Sequence, residues 1–433
     1  LSEVLDPANH LIASQSYASF ATGDHSLRKI NPNGPIKAGD TIYLLSGDHG
    51  SPTVRGYVNS GFITVEAAPG QVPIVGGMRI ESSSHWIFRN LTFEADPLPV
   101  TPNWGPLLDV GLNDHAGPSD NIILDSNTIR TSGDSSTWSD SYWMERPYNF
   151  GVSTRANCTT LSGNHLSNFR NGLNIWPEAT KTIVEANTIE QFETDGIDMT
   201  ASDVTIRRNT IQHGKHNASD PTHADAIQGW TAKGATNSNV VVDGNTIINT
   251  PSDANYLMGI SIYDGKWTHL TITNNVVVTN HANGITLLGI EDSEVINNTV
   301  VSSDPHVVTT LTIRDSKEHS PSSHVLIRNN IIPQMNLSGV DLTWDHNLAE
   351  KLIIISKDGR TAKYMSGRVG DENFIQQNIF STLQEVDRIN GHYDLRLQPN
   401  SRAIKAGNQE QAPPVDITGK ERIAPIDIGA YAR

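Results

Sequence analysis

A short unit recurs along most of the chain: an Asn followed by small and β-branched residues. It stands at Asn90 (Arg-Asn-Leu-Thr-Phe), Asn127 (Ser-Asn-Thr-Ile), Asn164 (Gly-Asn-His-Leu), Asn187 (Ala-Asn-Thr-Ile), Asn209, Asn245, Asn275, Asn298 and Asn330. The shortest spacings are 23 residues from Asn164 to Asn187, 22 from Asn187 to Asn209 and 23 from Asn275 to Asn298. A period of that length means one small unit, unable to bury its apolar side alone, stacked on copies of itself. The Leu framework of leucine-rich repeats is missing, and the runs are short and rich in Val, Ile and Thr. Asn tolerates a left-handed bend and bonds to the backbone there, and stacked Asn amides bond to one another as a ladder. The expected fold is all-β, a right-handed parallel β-helix of about ten or more coils, with capping segments and loop insertions on one face.

A second strand repeats in phase: Gly151-Val152-Ser153, Gly172-Leu173-Asn174, Gly196-Ile197-Asp198, Ala226-Ile227-Gln228, Gly259-Ile260-Ser261, Gly284-Ile285-Thr286 and Thr310-Leu311-Thr312. The central apolar residue points inward, so its successor points to solvent. Longer Asn spacings mark insertions near residues 131–149, 212–224 and 315–322, all able to border that outward face. The working face is expected between about Phe150 and Asp315.

Aligned on the inward residue, the outward columns are informative. Two residues before it stand Phe150, Asn171, Asp195, Asp225, Met258, Asn283 and Thr309; one after stand Ser153, Asn174, Asp198, Gln228, Ser261, Thr286 and Thr312. Three after stand Arg155, Trp176, Thr200, Trp230, Tyr263, Leu288 and Arg314. Stacked strands are about 4.8 Å apart, which makes Asp195 and Asp225 neighbours, with Asp198 roughly 10 Å along the strand. Carboxylates that close repel; one pKa rises, or a cation such as Ca²⁺ is recruited by Asp195, Asp198 and Asp225. Asn171, Asn174, Gln228 and the aromatics Trp176, Trp230 and Tyr263 surround them, a mixture that suits sugar rings. A solvated polar ladder would explain Asn and Thr alone; two outward Trp beside three Asp point to a groove.

The insertion before Asp225 adds His213, Lys215, His216, Asp220 and His223. His223 lies two residues before Asp225, so both can approach one substrate atom. Trp138, Tyr142, Trp143, Glu145 and Arg146 are expected to form a groove wall. Arg155 and Arg314 flank the acidic centre, with Lys233, Lys266 and Lys317 on nearby turns, and suit a carboxylate or sulfate.

The segment Thr194-Asp195-Gly196-Ile197-Asp198 resembles the Asn-Thr-Asp-Gly signature of the polygalacturonase family of glycoside hydrolases. The resemblance puts Asp225 at the second Asp of that family's Asp-Asp pair and Arg314 at the Lys of its Arg-Ile-Lys motif. Ala224 stands where the family has its general acid, and Met258 where it has its Gly-His-Gly histidine. More broadly, Pro35–Asp48 resembles the opening of many secreted β-helix enzymes of the pectate-lyase-like superfamily, and Tyr393–Gly407 with Asp427–Tyr431 their closing segment. This implies one domain over 1–433: a cap and first coil at 1–60, central coils at 61–345, and closing coils at 346–433.

With the hydrolase's acid absent, the expected chemistry is β-elimination on a uronic-acid polysaccharide. His223 is the candidate base, Asp195, Asp198, Asp225 and Arg314 its catalytic neighbours, and Arg155, Lys233 and the polar and aromatic groups above bind substrate. Uronate epimerisation shares the opening step. Glycoside hydrolysis by paired Asp residues and a non-catalytic glycan-binding solenoid are the alternatives. A formal charge of −16 excludes a nucleic-acid binder. No span suits a membrane. The single cysteine, Cys158, allows no intrachain disulfide and is expected to be a core thiol. The start at Leu1 suggests processing, and the compartment, secreted or periplasmic, follows from fold and substrate. The sequence leaves the oligomeric state open.

Overall fold

The computed structural model describes residues 2–5, 11–15, 38–95, 105–112, 118–145, 149–216, 222–232, 234–250, 255–355, 362–365, 374–375 and 378–433. The chain divides into two compact units, 1–193 and 194–433. Both are stacks of coils with three short strands per coil, each strand pairing in parallel with its counterpart one coil on.

In the first unit, one coil comprises Ser84–Arg89, Thr92–Glu94 and Pro106–Leu112; the next comprises Asp120–Asp125, Thr128–Arg130 and β1 (Phe150–Thr154). Register is set by burial, as Phe93 pairs with Ile129 and Val152 with Leu173 of β2 (Asn171–Ile175). Trp86, Phe88, Phe93, Phe169 and Phe192 fill the interior and are almost wholly buried. The unit opens with antiparallel pairing of Ser2–Leu5 to Thr41–Leu44. Residues 35–37 of the expected opening segment lie outside the described residues.

The second unit holds β3 (Ile197–Met199), β4 (Asp225–Gly229), β5 (Met258–Ile262), β6 (Asn283–Leu288), β7 (Thr310–Arg314) and β8 (Ile331–Leu337) on one sheet face. Ile197, Ile227, Ile260, Ile285 and Leu311 pair in succession and are fully buried. Truncating one of these to Ala removes about 2–5 kcal/mol of stability.

The Asn ladder is present, with its two supposed roles split between neighbouring residues. Asn164 Oδ1 accepts the backbone N–H and the Nδ2–H of Asn127, and Asn187 does the same for Asn164. Asn209, Asn245, Asn275, Asn298, Asn330 and Asn347 continue the pattern in the second unit. The left-handed bend is made by the preceding residue, for instance Ser126, Arg208, Asn274 or Asn297. Asn90 is one of these bend residues, and Leu91 takes the ladder position in its coil, donating to Asn127 Oδ1. Cys158, expected in the core, is half-buried in a left-handed turn.

The closing segment runs through a short 3₁₀ turn (Ile379–Thr382) and an antiparallel pair, Leu383–Asp387 with His392–Leu397. Residues 408–433 then lie back along the bend column. Asn274 Nδ2 donates to the Val415 carbonyl, Asn297 Nδ2 to those of Asp427 and Gly429, and Asn329 Nδ2 to that of Asn408. Arg422, almost fully buried, donates to Asn274 Oδ1 and to the carbonyls of Gly429 and Ala430, and burial lowers its pKa to about 10.

Candidate active site

The Gly-Ile signature has a steric cause. A Cβ on Gly259 would sit 2.7 Å from Val277 Cγ1, and one on Gly284 would sit 2.6 Å from Val300 Cγ1. These residues turn inward next to an apolar residue that also points inward, so the strict alternation of a strand is broken there. That break puts the residue two before the apolar position, Asp225 in β4, on the outer side. In β6 and β7 the break slips the register: Asn283 pairs with Thr310, not with Thr309 as simple alignment gives, and Thr309 is buried.

Asp225 is fully buried beneath His223. Its Oδ2 accepts the His223 Nδ1–H at 2.5 Å, and its backbone N–H donates to Asp195 Oδ1 at 3.0 Å. Asp225 Oδ1 has no hydrogen-bond partner among the described residues. The bond to Asp225 raises the His223 pKa, against the opposing effect of burial. With Nδ1 committed to the carboxylate, the accessible nitrogen of the half-exposed imidazole is Nε2. Gln228 Nε2 approaches Asp225 Oδ2 at 3.4 Å.

Tyr263 meets His223 edge-on, with centroids 5.7 Å apart. It is buried rather than an exposed platform: its hydroxyl accepts from Asn283 Nδ2 at 2.9 Å and from Ser261 Oγ, and donates to Met258 Sδ. Desolvation, then the Asp225 charge, holds this phenol well above its usual pKa. Lys317 lies 5.7 Å over the Tyr263 ring while pairing with Asp264 at 2.8 Å, which brings a cation to the dyad that sequence had placed only on a nearby turn.

Asn283 and Lys317 also line a polar cleft of about 860 Å³, floored by Thr286, Thr310, Thr312, Gln334 and Asn336 and flanked by Arg314 and His319. Arg314 is exposed, with no ion-pair partner among the described residues. Its strand is three steps from that of Asp225, about 14 Å, so it cannot serve the same sugar as His223.

The expected Asp triad is engaged piecemeal. Asp198 Oδ1 accepts the Trp230 indole N–H at 2.7 Å, Asp195 Oδ1 caps the Asp225 backbone, and Asp225 holds His223. Among the described residues no three His, Cys, Asp or Glu side chains converge to hold a metal ion. Trp230 is half-buried, and its N–H is spent on Asp198. Lys233, Asp220 and Arg146 lie outside the described residues.

Within the first unit, Arg155 stacks on Trp176 at 4.4 Å and lies 3.9 Å from Asp109 Oδ1, while the Trp176 N–H donates to Ser153 Oγ. Asn171 and Asn174 are buried on β2, Asn171 Nδ2 donating to the Asn149 carbonyl. The insertion there folds as a short helix, Asp140–Glu145, with Trp138 packed on Trp143 and Tyr142.

Residues 76–228 match the family model described as a right-handed beta helix region. The chain is a right-handed parallel β-helix. Comparison with curated proteins finds no match. Among solved structures, this β-helix is similar to PfbA, a surface adhesin of Streptococcus pneumoniae, at 11% identity and a TM-score of 0.48, covering 77% of this chain and 84% of that one. It is similar to pectate lyase Pel9A at 13% identity and a TM-score of 0.45, covering 99% and 95%. The A-module of the Azotobacter vinelandii mannuronan C-5 epimerase AlgE6 follows at 14% identity and a TM-score of 0.42, covering 71% and 90%. No helix among the described residues is long and apolar enough to cross a membrane.

Proposed function

We propose that this β-helix acts on a polysaccharide, as a lyase that cleaves uronic-acid-containing chains by β-elimination, and that it works outside the cytoplasm, secreted or periplasmic. The observation that carries the reading is the His223–Asp225 dyad: a half-exposed imidazole oriented by a fully buried carboxylate, joined through Tyr263 to Asn283 and Lys317 of a polar cleft.

In this reading neutral His223 takes the C5 proton of a uronate through Nε2. The electron pair of the C5–H bond forms the C4–C5 double bond, the C4–O bond breaks, and the departing oxygen is protonated by the imidazolium or by water. The C5 proton is acidic only if the neighbouring carboxylate is neutralised, a role given in this reading to Lys317, which pairs with Asp264 beside Tyr263. Asp225 holds the imidazole in one tautomer and stabilises the imidazolium. Arg314 receives a carboxylate further along the chain. Hydrolysis by paired carboxylates is less well supported, because Asp225 lies under His223 and Asp198 under Trp230.

A panel of acidic and neutral polysaccharides, followed at once for unsaturated uronate absorbance and for reducing ends, tests the reading. Both signals rising together on an acidic polymer is the expected result. Reducing ends without absorbance would mean hydrolysis, and retention of a polymer with neither signal would mean a glycan-binding solenoid.

A further inference from the structure

The floor of the polar cleft carries a chain of hydrogen bonds whose direction is fixed at one end. Thr310 Oγ1–H donates at 3.0 Å to the Ala282 carbonyl, a group that only accepts. The 3.0 Å contact between the Thr310 and Thr312 hydroxyls therefore uses the Thr312 proton. Thr312 Oγ1 in turn accepts from Asn336 Nδ2 at 3.3 Å, and Asn336 Oδ1 accepts from Gln334 Nε2 at 2.8 Å. All donors run one way, and the chain ends on Gln334 Oε1, which has no hydrogen-bond partner among the described residues.

Asn283 reaches the same state from the side of the dyad. The Tyr263 hydroxyl spends its proton on Met258 Sδ, and a thioether sulfur only accepts. The Asn283 atom that approaches both the Tyr263 oxygen, at 2.9 Å, and that sulfur, at 3.4 Å, is thus its amide nitrogen. Asn283 Oδ1 is left with no hydrogen-bond partner among the described residues. Both side chains are half-buried and line the cleft. Asn283, Thr310 and Gln334 share one register column on β6, β7 and β8, which sets the two amides about 10 Å apart. A half-buried acceptor is stabilised only by a donor, and on a neutral part of a sugar that donor is a free hydroxyl. An N–H of the floor bonds a hydroxyl or an ester oxygen alike, so the amide oxygens are the groups that tell one from the other.

We infer that Asn283 Oδ1 and Gln334 Oε1 accept free hydroxyls of the bound chain, so that the cleft selects a uronic-acid polymer without O-acetyl groups at those positions. Acetylation removes the proton that each oxygen needs and leaves the acceptor desolvated and unpaired. The inference rests on the proposed polysaccharide reading and narrows it from an acidic polymer to an unacetylated one. His223 acts at the cleaved linkage, while Asn283 and Gln334 determine specificity without touching the reacting atoms.

The test takes the polymer that the wild type cleaves, before and after partial chemical O-acetylation, and compares the wild type with Gln334→Met and Asn283→Ala. Acetylation should raise the wild-type KM about tenfold or more. Gln334→Met, which keeps the volume and removes the acceptor, should raise KM about tenfold on the free polymer with kcat near wild type. It should also lose most of the preference for free over acetylated chains. Asn283→Ala should lose that preference too, with a lower kcat because the Tyr263 hydroxyl loses a donor. Where a polymer is retained without being cleaved, Kd replaces KM in the same comparison. A wild type indifferent to acetylation would overturn the inference and leave the proposed function standing. Full wild-type preference in both variants would overturn it as well, by locating the discrimination elsewhere on the face. If no polymer of the panel is cleaved or retained, the function fails and the inference with it.

Discussion

At the scale of single residues, the site depends on one buried carboxylate. Asp225 has no exposure and is held from both ends, by its own N–H on Asp195 and by its Oδ2 under His223. Asp225→Asn keeps the shape and removes the charge, and should cost ~10²–10⁴-fold in kcat with little change in melting temperature. The pH dependence follows from the direction of the shift. His223 must be neutral to accept a proton, and its pKa lies above the ordinary 6.5, so kcat/KM should rise with pH through a midpoint above that value. In Asp225→Asn the residual activity should show that midpoint moved down. A pH profile of each protein checks both. The dyad was legible in sequence, since His223 and Asp225 are two residues apart beside a strand whose phase could be counted. The roles of Asp198 and Trp230 were not, because their mutual hydrogen bond spans two coils and consumes the groups that sequence offers to substrate.

At the scale of the element, the repeated Asn carries two separable jobs. The second Asn of each Asn-Asn pair (Asn275, Asn298, Asn330) belongs to the ladder, and the first (Asn274, Asn297, Asn329) makes the left-handed bend and anchors the closing segment. Sequence showed the ladder, but long-range partners such as Asn297 with Asp427 and Gly429 leave no periodic trace. Asn297→Ala strands the buried Asp427 carbonyl, while that of Gly429 keeps its bond from Arg422, and it penalises a bend that Ala adopts reluctantly, so it should destabilise by about 1–3 kcal/mol. Denaturant unfolding measures that loss, and faster hydrogen exchange across 408–433 would locate it in the closing segment. Asn239→Ala, at an exposed bend outside that interface, should cost much less.

At the scale of the whole molecule, charge sets a condition on the proposed substrate. A protein of net −16 repels a polyanion at long range, while Lys317 and Arg314 attract it at the cleft. Raising ionic strength from 0.01 M to 0.15 M shortens the screening length from about 30 Å to about 8 Å. The long-range repulsion then fades faster than the short contacts, so KM for an acidic polymer should first fall with added salt. A steady rise in KM from the lowest salt onward would show that the cleft cations dominate even at distance.

The closing segment also limits how this molecule can change in length. Its anchors on Asn274, Asn297 and Asn329 fall at fixed heights on three successive coils. A coil duplicated or deleted between them would throw every later anchor out of step with the tail, whereas the same event before Asn274 would carry anchors and tail along together. Lineages of this chain are thus free to lengthen or shorten ahead of that point, while the final stretch is bolted to a single count of turns.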